Sequence, residues 1–352
     1  MINRIDCTPN RIGFDYGNQT VAKEKKAWQT RRALFSNLAM LAAAGSWSGA
    51  SASSYPNRSL RLIVPGAAGG APDLLCRVMG SALASALGQA VVIDNRPGAG
   101  GIAGTLEMVR AAPDGYTLGY ANVGTLAINR ALYGQLPYDP DRQLAPVAMT
   151  GFVQNALVVR NELPILTVGH LISYLKKNPR KVTMASAGNG TTSHLSGELF
   201  KSMTGTSMLH VPYRGSSAAI QDLIGGRVDV MFDNLSSICP FIESDRVRGL
   251  AVTGARRSPL LPHLPTVREA GVSGYESVAW GGIVVPAGTR TDIINVLNGE
   301  FTAMMSNAGV RESLTRLSLE PASGPTDVLF ELAKRETPVW ASLVRRANVQ
   351  ID

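Results

Sequence analysis

Short apolar runs alternate with longer segments of helical periodicity along most of the chain. Leu60–Val64 reads as a buried strand. Over residues 72–87 the positions Leu74, Leu75, Val78, Met79, Leu83 and Leu87 recur at three- and four-residue spacing, which predicts an amphipathic helix. Residues 91–94 form a second expected strand, 100–111 a helix and 117–120 a third strand. The rhythm returns as strand 182–185, helix 193–204, strand 208–211, helix 216–225, strand 228–232, helix 237–245 and strand 250–253. Such alternation predicts an α/β fold with mostly parallel sheets flanked by helices.

Two segments break the rhythm. Residues 147–160 and 277–285 are long and strand-like, and the whole second group of β/α units lies between them. They are the natural places for the chain to cross twice between two lobes. Lobe one is then discontinuous, 55–158 with 279–352, and lobe two is 159–278. About three hundred residues exceed what one core usually serves, which also favours two lobes. The chain ends in a helix that follows Ser323-Gly324-Pro325-Thr326, with Trp340 and Leu343 facing inward and a kink expected at Pro338.

The first fifty-two residues read differently. Basic residues from Arg4 to Arg32 precede a small and apolar run over 33–45, and Ala50-Ser51-Ala52 offers a small-residue cleavage site. That order describes a secretory leader over 1–52 and hence a periplasmic mature protein. Thr30-Arg31-Arg32-Ala33-Leu34-Phe35 also partly matches a twin-arginine signal, so either export route is open. The leader holds seven Lys and Arg against three Asp and Glu, so it carries half of the formal net charge of +8. The remainder has no polybasic run and few aromatics, which excludes nucleic acid as an expected partner. Of the three cysteines, Cys7 leaves with the leader; Cys76 and Cys239 have no metal or redox spacing, and their pairing is left open.

Ligands of open α/β sheets bind beyond the carboxyl ends of the strands. After the first strand stand Gly66, Ala67, Ala68, Gly69, Gly70, Ala71, Pro72 and Asp73. Small residues let backbone approach a ligand, and the free N–H groups of a loop and helix start suit an anion. Asp73 is expected to cap the helix or order the loop. In the second group, Ser186, Gly188, Thr191, Thr192 and Ser193 follow a strand and open a helix, with Thr192 or Ser193 expected as its cap. Asp233 ends another strand at the same edge. The glycines Gly98, Gly100 and Gly104 imitate a dinucleotide fingerprint, but Arg96-Pro97 intervenes and no acidic residue ends the next strand. Catalysis finds little support: His194 is adjacent to Ser193 and cannot pair with it, and Ser173 and Lys176 lack their companion motifs. No metal or cofactor is expected.

Taken together, these segments resemble the substrate-binding proteins of tripartite tricarboxylate transporters, the Bug family. The resemblance rests on Leu62-Ile63-Val64-Pro65 with Gly69, Gly70 and Asp73, on Asn95-Arg96-Pro97-Gly98, and on Pro113-Asp114-Gly115-Tyr116. It continues through Ser193-His194-Leu195-Ser196-Gly197-Glu198, His210-Val211-Pro212-Tyr213-Arg214-Gly215 and Gly226-Arg227-Val228-Asp229 to the C-terminal region. It implies a two-lobed periplasmic-binding-protein (Venus-flytrap) fold, type II-like, that closes on one small carboxylate. It further implies delivery of the ligand to membrane transporter subunits; the alternatives are a ligand sensor that docks a receptor domain and, less favoured, a periplasmic enzyme on the same scaffold, and a monomer is expected. The carried-over contacts are Ala67, Ala68, Gly69 and Gly70 in one loop, residues 186–193 in the other, and Asp233 at the rim.

Overall fold

A computed structural model describes residues 55–347 and residue 349. The expected leader lies outside the described residues.

Strands β1 (Leu60–Val64), β2 (Val91–Asn95) and β3 (Thr117–Asn122) pair in parallel in the order β2-β1-β3. Helix α1 (Ala71–Leu87) joins the first two; Pro72 occupies its first turn and Gly88 ends it in the left-handed conformation. Helix α2 (Ile102–Val109) joins the next two, after a tight turn through Ala99–Gly101. Strand β4 (Leu144–Val159) follows. Its sixteen residues reach about 50 Å at 3.3 Å each, which spans both halves of the molecule.

The second half begins with α3 (Val168–Lys177) and continues as β5 (Thr183–Ser186), α4 (Thr192–Thr204), β6 (Leu209–Pro212), α5 (Ser216–Ile224), β7 (Val230–Asn234), α6 (Leu235–Glu243) and β8 (Arg248–Val252). Strand β9 (Val278–Pro286) then returns to the first half, where α7 (Thr291–Ser306), α8 (Ala308–Arg316), β10 (Leu319–Pro321) and α9 (Val328–Arg346) complete it.

The sheet is mixed. Peripheral pairs, β1 with β2 and β3, and β5 with β6 and β7, are parallel. Every pair that involves β4 or β9 is antiparallel. The first part of β4 runs against β9 from Leu144↔Pro286 to Gln154↔Val278; its last part runs against β7 from Asn155↔Asn234 to Val159↔Val230. One strand thus belongs to both halves.

Each half carries a core on both faces of its sheet. Leu60, Leu62 and Val64 point into one core with Leu75, Met79 and Leu83 of α1, while Ile63 points to the other with Met108 and Trp280. In the second half Leu157 and Val159 join Phe200 and Tyr275, whereas Ala156 and Val158 join Ile220 and Ile238. The two-residue period of a strand makes this division. Each fully buried Leu, Ile or Met contributes about 1.5–3 kcal/mol. Cys76 and Cys239 are both buried and free, which settles the open question of their pairing. Pro338 sits inside α9, with Trp340 and Leu343 buried beyond it. No described helix is long and apolar enough to cross a membrane.

Candidate ligand-binding cleft

The loops that follow β1, β2, β3, β5, β6 and β7 converge on one cavity of about 370 Å³. They come from both halves of the molecule and from the carboxyl ends of their strands.

The first-half loop is held from behind. Asp73 is buried and accepts the Gly69 N–H at 2.8 Å and Arg77 Nε at 3.0 Å. Burial alone would raise its pKa, but Arg77 and the Gly69 N–H outweigh burial and hold the carboxyl below its usual range. The Gly70 N–H turns back to Ala67 O at 3.2 Å. Among the described residues, no acceptor serves the N–H of Ala67 or Ala71, and both residues line the cavity at the start of α1. A helix start with free N–H groups attracts anions. Of the residues singled out in this loop, Gly66, Ala67, Gly70, Ala71 and Pro72 line the cavity; Ala68, Gly69 and Asp73 do not.

The second-half loop is tied more heavily. Thr191, not Thr192 or Ser193, caps α4: its extended backbone places Oγ1 to accept the His194 N–H at 3.3 Å, and the same hydroxyl donates to Gly188 O at 2.7 Å. Ser193 Oγ donates to Phe232 O and accepts the Ala187 N–H at 3.2 Å, which pins the loop to β7. Ser186 is fully buried behind the loop and does not line the cavity; its hydroxyl is engaged by His210 and Gly188. Thr192 is the free member. It is buried, lines the cavity, and its hydroxyl has no partner among the described residues, nor do the N–H groups of Thr192 and Ser193.

Asp233 lines the cavity at the end of β7 and is 1% exposed. Ser216 Oγ donates to one of its oxygens at 2.7 Å and Ser237 Oγ to the other. Burial nevertheless raises its pKa to about 6. It begins the turn into α6, and Ser237 on that helix holds it in place.

Sequence reasoning missed Arg214 and Ser216. Among the described residues, Arg214 is the one cationic side chain in the lining; it is exposed, next to Tyr213, whose hydroxyl donates to Asp222 at 2.8 Å. The signal was present: Tyr213-Arg214-Gly215-Ser216 follows a strand and opens a helix, like the two loops that were chosen.

The two halves touch across the cleft. Ser217 Oγ on α5 donates to Ala68 O at 2.8 Å. A Cβ on Gly215 would lie 2.4 Å from the Ala67 Cβ, and one on Gly100 would lie 2.3 Å from Asn189 O. Only glycines allow this approach. The molecule is therefore closed over its cavity. A second cavity, about 550 Å³, lies behind the crossing strands and shares only Trp280 with the first. No cluster of metal-ligating side chains occurs among the described residues.

Residues 75–349 match the model of the tripartite tricarboxylate transporter family receptor. The chain belongs to that family. Three solved structures are similar to this receptor along nearly their whole length. The R. palustris protein Rpa4515 with adipate is 37% identical, with a TM-score of 0.82 over 84% of this chain and 99% of that one. The periplasmic binding protein BugD is 33% identical, with a TM-score of 0.81 over 84% and 99%. MatC from Rhodopseudomonas palustris with bound malate is 32% identical, with a TM-score of 0.77 over 82% and 100%. The receptor thus has the two-lobed α/β fold of periplasmic binding proteins.

Proposed function

We propose that this receptor is exported by a leader over residues 1–52, captures one small carboxylate in the periplasm, and delivers it as a monomer to the membrane subunits of a tripartite transporter. Two lobes, 55–158 with 279–352 and 159–278, close on the ligand, with β4 and β9 as the crossing segments. The observation that carries this reading is the pair of helix starts, one from each half, whose unserved N–H groups face a single cavity. Ala67 and Ala71 hold one end of the ligand; Thr192 and Ser193 hold the other. Arg214 draws the anion to the mouth, and Asp233 accepts from a ligand hydroxyl or an ordered water. The adipate and malate of the two solved relatives support a dicarboxylate, and a 370 Å³ cavity has room for a chain of that size. The ligand shifts an open–closed equilibrium because it meets both loops only in the closed state. The protein performs no catalysis in this role.

The test is thermal unfolding of the leader-free protein against linear, hydroxylated and aromatic mono-, di- and tricarboxylates. A true ligand at a hundred times its Kd stabilises by about 2.7 kcal/mol, a shift of several degrees. At least one dicarboxylate is expected to do so. Stabilisation by no acid, together with turnover of one of them, would overturn the proposal.

A further inference from the structure

His194 and His210 lie against the second-half loop on the side away from the cavity, and neither lines it. Their rings stack with centroids 3.9 Å apart and planes 7° from parallel. Both are engaged with the loop. Ser186 Oγ lies 2.6 Å from His210 Nε2 and also accepts the Gly188 N–H at 3.2 Å. An oxygen that accepts from Gly188 has its own proton to place, and the ring nitrogen is the partner within reach. His210 Nε2 is then an acceptor, and the ring proton sits on Nδ1. The Gly190 N–H points to His194 Nδ1 at 3.4 Å, so that nitrogen is an acceptor as well. Its Nε2–H faces Glu198 Oε1 at 3.5 Å, and Lys201 Nζ holds the same carboxylate at 2.7 Å.

We propose that His194 and His210 are positioning residues for ligand capture: two neutral imidazoles of opposite tautomer that fix residues 186–190 and aim the free N–H groups of α4 at the ligand. The charged groups beside the pair are Glu198 and Lys201, both on α4. Burial and the neighbouring His194 hold the ionisation of His210 down at about 3, which keeps it an acceptor at neutral pH. The pair also accounts for Ser186, whose hydroxyl is spent on the loop's own support. Protonation of either ring at its acceptor nitrogen removes one of the two ties.

The affinity part of the test rests on the carboxylate reading; the tautomer part does not. Histidine-selective ¹⁵N NMR of the full chain at pH 7 is expected to show His210 protonated at Nδ1 only and His194 at Nε2 only. The opposite tautomer or a charged ring at either position overturns the proposal. For affinity, His210→Phe keeps an aromatic ring in the stack but removes the acceptor, whereas His210→Gln returns a carbonyl acceptor. With adipate as the probe, the Phe variant should bind about tenfold more weakly and the Gln variant within about threefold of the parent. Amide exchange over residues 187–191 without ligand should order the variants the same way, Phe fastest. Equal behaviour of both variants, in binding and in exchange, contradicts a positioning role and leaves His210 as packing alone.

Discussion

The loop after β1 offers the cavity almost nothing but backbone, while the loop after β5 adds the Thr192 hydroxyl and is tied down by Thr191, Ser193, Ser186 and two histidines. The first is short and made of Gly and Ala, braced by the side chains of Asp73 at the Gly69 N–H, Asn95 at Gly66 O and Ser217 at Ala68 O. The second has a brace for nearly every residue. Both end in a helix start, so both supply an electropositive set of N–H groups. On the proposed reading this difference divides the labour: the first loop would recognise charge with little regard for shape, and the second would hold the geometry that selects the acid.

The strongest way to break this arrangement is to prevent the loops from meeting. Gly100→Ala places a methyl 2.3 Å from Asn189 O at a positive φ of 61°. The clash exists only when the halves are closed, so closure should cost about 1–3 kcal/mol and ligand affinity should fall roughly tenfold to hundredfold. Calorimetric titration checks the affinity, and unfolding without ligand should move by only about 1 kcal/mol of backbone strain. A somewhat smaller effect separates the two loops. Thr192→Val removes the free hydroxyl and should weaken binding about tenfold, with the ligand-free melting temperature unchanged. The first loop has no side chain to delete.

Its counterpart test is therefore Asp73→Asn, which loosens the Gly69 turn and should weaken binding a few-fold. That variant has a pH signature. Because Asp73 ionises below its unfolded value, its stabilisation is full above about pH 4 and disappears as pH falls through the lowered folded value. Acid unfolding of the Asn variant should lack that component. The smallest effect concerns Asp233, whose folded pKa of about 6 lies above the unfolded one. Its ionisation opposes folding, so stability declines as pH rises from about 4 to about 6 and stays lower above that. An anionic ligand also binds better to the neutral form. Affinity should rise roughly threefold from pH 7 to pH 5 and lose that slope in Asp233→Asn.

Much of the fold was legible because buried strands in this chain are short apolar runs bounded by Gly and Pro, and the helices between them keep a clean stripe. The crossings at β4 and β9 stood out by length. The antiparallel pairing of these strands was not legible, since it depends on which neighbours a traversing strand meets. In the site, positions were readable and directions were not. Ser186, Thr191, Thr192 and Ser193 are chemically alike; the last three line the cavity, but the hydroxyls of Ser186, Thr191 and Ser193 serve the loop, which leaves that of Thr192 for a ligand. Arg214 was within reach of local reasoning, because it stands in a strand-to-helix turn, whereas the histidine pair meets through long-range packing that no local pattern encodes.

The central claim is that one ligand meets helix starts from both halves at once. Amide NMR of the leader-free protein tests it most directly, with the stabilising acid added to saturation. The account predicts that the N–H signals of Ala67 and Ala71 and those of Thr192 and Ser193 shift together, at one ligand per chain. Shifts confined to one loop, or to neither, would contradict it.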